Sequence, residues 1–323
     1  MTVRLTIDQG AWRSHIQSVV GEVDGLVPVV KGNGYGFGRS MLFREAASFA
    51  GEVAVGSVAE AVAVSRDDVQ PEALTVLTPT LRLPASLPSS AVLTVGNSAH
   101  VQALHAHGWR GRGHVKLASS MHRYGIDREH LGGLMNEVEA AGLTPFGFMF
   151  HPPLLEGVRT EADTVAEIDA WIPYLDPRLP LSVSHIGIAT HRALRARHPQ
   201  RTIRLRLGTA LWHGDKSFLH LSADVLDRHT VGPETRAGYR LIRIVDGGIL
   251  VLVGAGSSHG VAPLPDGRSP FHHRRQRLTL LEAPHMHTSM LLVGRNQEPP
   301  EVGEWLDLQR PLITTQPDEI MWT

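Results

Sequence analysis

Val29-Val30-Lys31-Gly32-Asn33-Gly34-Tyr35-Gly36-Phe37-Gly38 joins a short apolar run to a lysine and then to four glycines within seven residues. An apolar run closed by glycines reads as a buried strand ending in a loop whose backbone can approach a ligand. A lysine emerging from such a strand is partly desolvated, which lowers its pKa and suits Schiff-base formation. The same residues also fit a snorkelling lysine beside a flexible loop. The stretch alone leaves both readings open.

Working outward, short β-branched or apolar runs recur at 26–30, 52–56, 74–77, 92–95, 114–117, 147–150, 181–184 and 203–207. The segments between them, such as Val58–Val64 and 162–175, have helical composition and the length to cross back over a sheet. Eight such units ending near residue 215 predict an α/β protein with a closed (β/α)8 TIM barrel over 1–215. In a barrel, functional groups collect where strands end, so Lys31 stands at a predicted site. After Asp215 the texture changes. The run 241–245, the turn Asp246-Gly247-Gly248 and the run 249–253 read as a hairpin, with further strand-like runs at 277–281 and 289–293. The segment 216–323 is therefore expected to be a mostly β C-terminal domain.

Composition narrows the function classes. Lys+Arg 31 against Asp+Glu 32 leaves a net charge of -1, which offers no electrostatic footprint for nucleic acid or an anionic membrane surface. With Cys 0, disulfides, thiolate metal sites and a cysteine nucleophile are excluded, a pattern that fits a cytoplasmic protein. No run of about eighteen apolar residues suggests a membrane span, and the N-terminal residues do not read as a signal peptide. Among 19 histidines the pair His285/His287 has an acid nearby, Glu282; metal binding is weighed against surface histidines, and no metal site is expected.

The opening stretch closely resembles V-V-K-A-N-A-Y-G-H-G, the pyridoxal-phosphate lysine motif of the alanine racemase family, which belongs to the fold-type III pyridoxal-phosphate enzymes. Glycine replaces alanine twice and Phe37 replaces the histidine. Lys116 with Met121, Arg123 and Gly125 is similar in spacing to the family's K-x-D-T-G-M-x-R-x-G, with Ala118-Ser119-Ser120 in place of Asp-Thr-Gly. Arg206-Leu207-Gly208-Thr209-Ala210-Leu211-Trp212 resembles R-x-G-I-A-x-Y. The three matches come in the family's order, each at a predicted strand end.

The resemblance implies a set of roles. Lys31 would hold pyridoxal 5'-phosphate and, once released, act as one of two acid/base groups at the substrate Cα. Tyr35, Gly208 and Thr209 would bind the phosphate, joined by Ser184 or His185 from Ser184-His185-Ile186-Gly187. Arg206 would face the pyridine nitrogen; a donor-only side chain leaves that nitrogen unprotonated and favours fast reprotonation, hence racemisation. Arg123 would bond the phenolic oxygen and help hold the substrate. Lys116 matches a lysine that some members carbamylate, and His151 a histidine against the ring. The second base would be Tyr239, within Gly232-Pro233-Glu234-Thr235-Arg236-Ala237-Gly238-Tyr239-Arg240, supplied across a homodimer. Met286, in Pro284-His285-Met286-His287-Thr288-Ser289-Met290, would contribute to substrate binding where the family has V-C-M-D-Q-x-M. The sequence runs to Thr323 without the family's closing R-V-P-R-x-Y.

The expected activity is interconversion of L- and D-alanine by Lys31 and Tyr239, making a D-amino acid for peptidoglycan precursors. Racemisation of another amino acid and non-catalytic cofactor binding are the alternatives.

Overall fold

Val3–Ile7 (β1) alternates fully and half-buried residues. It pairs far along the chain, antiparallel to Leu219–Val231 and parallel to Glu319–Trp322. The computed structural model describes residues 2–154 and 159–323. By contact they form two compact units, one of His15–Gly34 with Gly38–Trp212, the other of the chain up to Ser14, Tyr35–Phe37 and His213–Thr323. These units do not follow a linear boundary at 215, because β1 belongs with the later sheet.

In the first unit strands and helices alternate after α1 (Gln9–Glu22). They run β2 (Leu26–Pro28), α2 (Arg39–Phe49), β3 (Glu52–Val55), α3 (Val58–Val64), β4 (Ala73–Val76), β5 (Ala91–Val95), α4 (Ser98–Ala106) and β6 (Arg112–Lys116). There follow α5 (Arg128–Ala140), β7 (Thr144–Met149), α6 (Glu161–Asp169), β8 (Leu181–Val183), α7 (Ile188–Arg197), β9 (Ile203–Leu207) and α8 (Thr209–His213). The strands are parallel in the order β2-β9-β8-β7-β6-β5-β4-β3, and a parallel bridge between Val29 and Ala54 joins the two ends. This is the expected eight-stranded barrel. One crossover departs from the pattern: β4 and β5 are joined without a helix through a segment holding Pro79, Pro84 and Pro88, residues that lack the N–H a helix needs. β3, β4 and β5 are buried at every position, since the barrel interior fills one face and helices cover the other. Their mostly Val, Ala and Leu content follows from that double burial, and the polar exceptions, Glu52, Thr75 and Thr94, are hydrogen-bonded.

Where those strands begin, the interior is polar. Glu52, 7% exposed, accepts from Thr75 Oγ1 at 2.7 Å, lies 3.4 Å from His114 Nε2 and is paired with Arg204. This network is at the opposite end of the strands from Lys31.

The second unit is a sheet organised on Leu219–Val231 (β10), which pairs with β1, Trp305–Leu308 and Gly248–Val253. Thr235–Ala237 (β11) and Ile242–Ile244 (β12) form a separate two-stranded ribbon. The hairpin expected across Asp246-Gly247-Gly248 is therefore not formed. β12 pairs with β11, while Gly248–Val253 (β13) pairs with β10 and Ser289–Val293. The two glycines explain the difference: at φ 70° and 150°, a Cβ on them would lie 2.7 Å from Val231 O and 2.5 Å from Val293 O. They admit close backbone approach within a sheet instead of a tight turn. The run expected at 277–281 is broken at Leu278, whose amide bonds Phe271 O. Among the described residues no helix is long and apolar enough to cross a membrane.

Candidate active site

The end of β2 is pinned from both sides, Val29 N bonding Leu207 O at 2.8 Å and Val30 N bonding Ala54 O at 2.7 Å. Lys31 is thus the first residue free of the ladder, exposed at the mouth of the barrel. The loop after it folds back at once, with Gly34 N on Lys31 O at 3.1 Å. Gly34 has φ 67°, and a Cβ there would fall 2.4 Å from the Gly38 carbonyl carbon, so only glycine closes this loop. The Lys31 ammonium is held below its usual pKa, first by the protein around it and then by the Arg123 charge, with Glu60 opposing and Arg206 adding.

Lys116 ends β6 and is 7% exposed. Burial, then Arg206 and Arg123, lower its pKa to about 6, so at neutral pH its amine is largely uncharged. The chain leaves β6, makes an excursion and returns, with Ile126 N on Lys116 O at 2.9 Å and Ala118 N on Ile126 O at 2.8 Å. Arg123 is exposed on this excursion. Gly125, at φ 123°, would place a Cβ 2.4 Å from the Leu117 carbonyl carbon, which accounts for the glycine of that motif. Ser119 Oγ donates to His151 O at 2.8 Å, and Ser120 bonds Glu167 through its amide at 2.6 Å and its hydroxyl at 3.0 Å. Arg159 also donates to Ser120 Oγ and Glu167, tying the altered Ala118-Ser119-Ser120 turn to α6.

Arg206 is enclosed at 4% exposure, and burial lowers its pKa to about 10, leaving it charged at neutral pH. Among the described residues it pairs with no carboxylate directly. Its guanidinium donates to Ser182 O at 2.6 Å, Phe150 O at 2.8 Å and Ser184 Oγ at 3.3 Å. Ser184 Oγ lies 2.6 Å from His151 Nδ1, and the His151 and His185 rings are 4.3 Å apart. Burial and the charges of Lys116, His185, Arg206 and Arg123 push the His151 pKa down to about 2. His185 is lowered as well, chiefly by burial, and holds φ 58° with Nδ1 bonded to Pro152 O at 3.0 Å.

Of the two helix starts after β8 and β9, that of α7 already meets an anion: Glu161 accepts from Gly187 N at 3.0 Å. At α8 the Leu211 and Trp212 amides both bond Gly208 O at 3.0 Å, so Gly208 and Thr209 head the helix, where amides lack intrahelical acceptors. Tyr35 lies in the other unit, 5% exposed at φ 54°, its ring edge-on to His213 at 5.9 Å and its carbonyl bonded to His213 Nε2 at 2.7 Å. That unit also carries Tyr239, 85% exposed in the turn between β11 and β12, and Met286, 67% exposed, whose carbonyl accepts from Ser258 Oγ at 2.7 Å.

The model of the alanine racemase N-terminal domain matches residues 7–215, about two thirds of the chain. The chain belongs to the alanine racemase family. Solved alanine racemases share the fold across both units. The *Bartonella henselae* alanine racemase with covalently bound pyridoxal phosphate is 16% identical, with a TM-score of 0.78 and all of each chain covered. The *Bacillus anthracis* alanine racemase with bound L-Ala-P is 19% identical at TM-score 0.75, covering 99% of this chain and 88% of that one. The biosynthetic alanine racemase of *Pseudomonas aeruginosa* is 16% identical at TM-score 0.72, covering 100% and 99%. No curated protein matches the chain in sequence.

Within this alanine racemase fold, one residue beside Lys31 escaped the sequence reading. Glu60 accepts from Gly32 N at 2.9 Å and from Gly56 N at 2.6 Å, clamping the ends of two neighbouring strands. Its signal was Ser57-x-x-Glu60 at a strand end, a capping-box spacing. Ser57 does cap α3, but the carboxylate turns to the lysine loop instead of completing the box. His287, read beside Glu282 and His285, instead meets Ser258 Oγ at 3.0 Å.

Proposed function

We propose that this member of the alanine racemase family is a pyridoxal-phosphate-dependent racemase of a small amino acid, alanine first, working as a cytoplasmic homodimer that shares its sites. The observation that carries the reading is the charge at the barrel mouth. Lys31 and Lys116 are each held below their usual pKa first by burial and then by the charges of Arg123 and Arg206. A cationic donor set with a lysine of lowered pKa suits a phosphorylated aldehyde and a substrate carboxylate. When bound, pyridoxal phosphate supplies an electron sink that acidifies the substrate Cα–H.

The chain's residues then take these parts. Lys31 holds the cofactor and moves a proton at one face of Cα; Tyr239 moves it at the other. Two groups are needed because inversion exchanges the proton on opposite faces of a planar carbon. Arg206 stays charged and donates only, so it supports a pyridine nitrogen without a proton. Arg123 orients the phenolic oxygen and substrate, His151 supports the ring, and Gly208 and Thr209 receive the phosphate with Tyr35, joined by Ser184 or His185. Met286 helps bound the substrate. Lys116, largely uncharged at neutral pH, has the lone pair that carbamylation requires, and isotope-labelled bicarbonate should label wild type and not Lys116→Arg.

A second reading keeps the cofactor and widens the substrate. Ser120 is drawn to Glu167 and Arg159, and His287 to Ser258, so the residues at two places that differ from the family motifs are engaged in side-chain contacts. The decisive experiment incubates the cofactor-loaded protein with each enantiomer of common amino acids and follows D/L interconversion, together with its visible absorbance. Lys31→Ala should lose both the borohydride-reducible absorbance and the turnover. A loaded wild-type protein that interconverts none of them would leave cofactor binding without racemisation.

A further inference from the structure

We propose that Glu282 and His285 are positioning residues for Tyr239, holding its phenol in one orientation for proton transfer; this rests on the two-base reading above. Tyr239 sits in a turn closed by Leu241 N on Gly238 O at 3.2 Å, and with 85% of its surface exposed it has little packing to fix it. An exposed tyrosine on a turn ordinarily samples several rotamers. Here it is held on two sides.

The Glu282 side chain, only 3% exposed, accepts from the Tyr239 amide at 2.8 Å and the Arg240 amide at 3.2 Å, so its carboxylate fixes the backbone of the turn. The same carboxylate lies 2.6 Å from His285 Nε2. His285 in turn stacks on the Tyr239 ring, centroids 4.0 Å apart and planes 17° from parallel. Its own backbone is tied, the amide to Thr288 O and the carbonyl to Ser257 N, each at 2.8 Å. Gly238 completes the device: it has φ 79°, and a Cβ there would lie 2.3 Å from Glu282 Oε1. One carboxylate therefore sets both the backbone of Tyr239 and the ring against which the phenol rests. Enclosing a carboxylate beneath an exposed tyrosine gains little apolar burial, so the arrangement serves orientation more than stability. Proton transfer needs donor and acceptor held in one geometry, which an exposed phenol does not keep by itself.

The test compares Glu282→Ala, Glu282→Gln and His285→Leu with Tyr239→Phe in the loaded enzyme, following solvent deuterium entry at Cα from each enantiomer. Glu282→Ala should slow exchange on the tyrosine face by about tenfold or more and leave the Lys31 face within about twofold. Glu282→Gln, which keeps one acceptor oxygen for the Tyr239 amide and loses the one that meets the Arg240 amide, should recover part of that loss. In combination with Tyr239→Phe, Glu282→Ala should add nothing. Equal losses on both faces, or losses that add, would overturn the assignment. A second measurement needs no cofactor: the His285 Cε1–H proton resonance should be displaced by the stacked phenol in wild type and return in both Tyr239→Leu and Glu282→Ala. A displacement that persists in Glu282→Ala overturns the clamp while leaving the two-base reading intact. A Tyr239→Phe enzyme with undiminished exchange on both faces overturns the two-base reading and this proposal with it.

Discussion

Ser184 Oγ lies 2.6 Å from His151 Nδ1, so hydroxyl and imidazole are joined by a hydrogen bond. The Arg206 guanidinium, a donor only, reaches the same hydroxyl at 3.3 Å. With Arg206 donating to it, the hydroxyl has its own hydrogen to turn to Nδ1, and in that arrangement the proton of a neutral His151 rests on Nε2. A hydroxyl that the family resemblance assigned to phosphate is, in the protein alone, the middle of a donor chain.

The first prediction concerns that chain. Nitrogen NMR should find His151 neutral and in the Nε2–H form at every pH above about 4, because its pKa is pushed down to about 2 by burial and neighbouring charge. Ser184→Ala should leave it neutral but mix the two tautomers, at a cost of about 1–2 kcal/mol in stability. A His151 that titrates in the ordinary histidine range would contradict the arrangement.

Arg206 joins two neighbouring strands by donating to Phe150 O and Ser182 O. A lysine carries the charge but not the planar fork, so Arg206→Lys should destabilise the cofactor-free protein by roughly 2–4 kcal/mol. Denaturant unfolding without cofactor reads this directly, and an unchanged midpoint would confine Arg206 to a role toward ligand.

Glu52 shapes the acid limb of stability. Burial alone would raise its pKa, but the hydrogen bond and charge of His114, the Thr75 hydroxyl and Arg204 bring it down to about 2 from 4.5. A carboxylate lowered on folding stabilises above its unfolded pKa, and this contribution is lost as pH falls through the folded value. Glu52→Gln should therefore cost roughly 3 kcal/mol at neutral pH and flatten the loss of stability between pH 4.5 and about 2. Urea titrations across that window would show an unchanged slope if the network were inert.

Lys116 works with the opposite sign. Its pKa is about 6 when folded against 10.5 ordinarily, so between these values the unfolded chain holds the extra proton and stability rises with pH. The penalty is complete below pH 6 and gone near 10.5. Lys116→Met should thus be more stable than wild type by several kcal/mol in mild acid, with the advantage shrinking steadily as pH rises. An advantage independent of pH would mean packing, not charge, was responsible.

Much of the barrel could be read from local sequence because strands such as β3, β4 and β5 are buried on both faces, so each appears as a short, mainly apolar run whatever its neighbours are. The motif glycines were equally legible: Gly34 and Gly125 stand where a side chain would strike backbone 2.4 Å away, a constraint set within a few residues. Lys31, Lys116 and Arg206 follow from that register, since each lies at or near the end of a strand.

Only the tertiary structure decided the rest. β1 pairs with Glu319–Trp322 across more than 300 residues, and no local pattern names a partner that far away. The glycines at 247 and 248 looked like a turn because close approach to a distant strand needs the same residue as a tight bend. Glu60, the bond of Glu282 to the Tyr239 amide and the Ser184–His151 bond went unread for one reason: a carboxylate or hydroxyl has many possible partners, and the one it takes is fixed by which backbone amides and rings the fold brings within 3 Å.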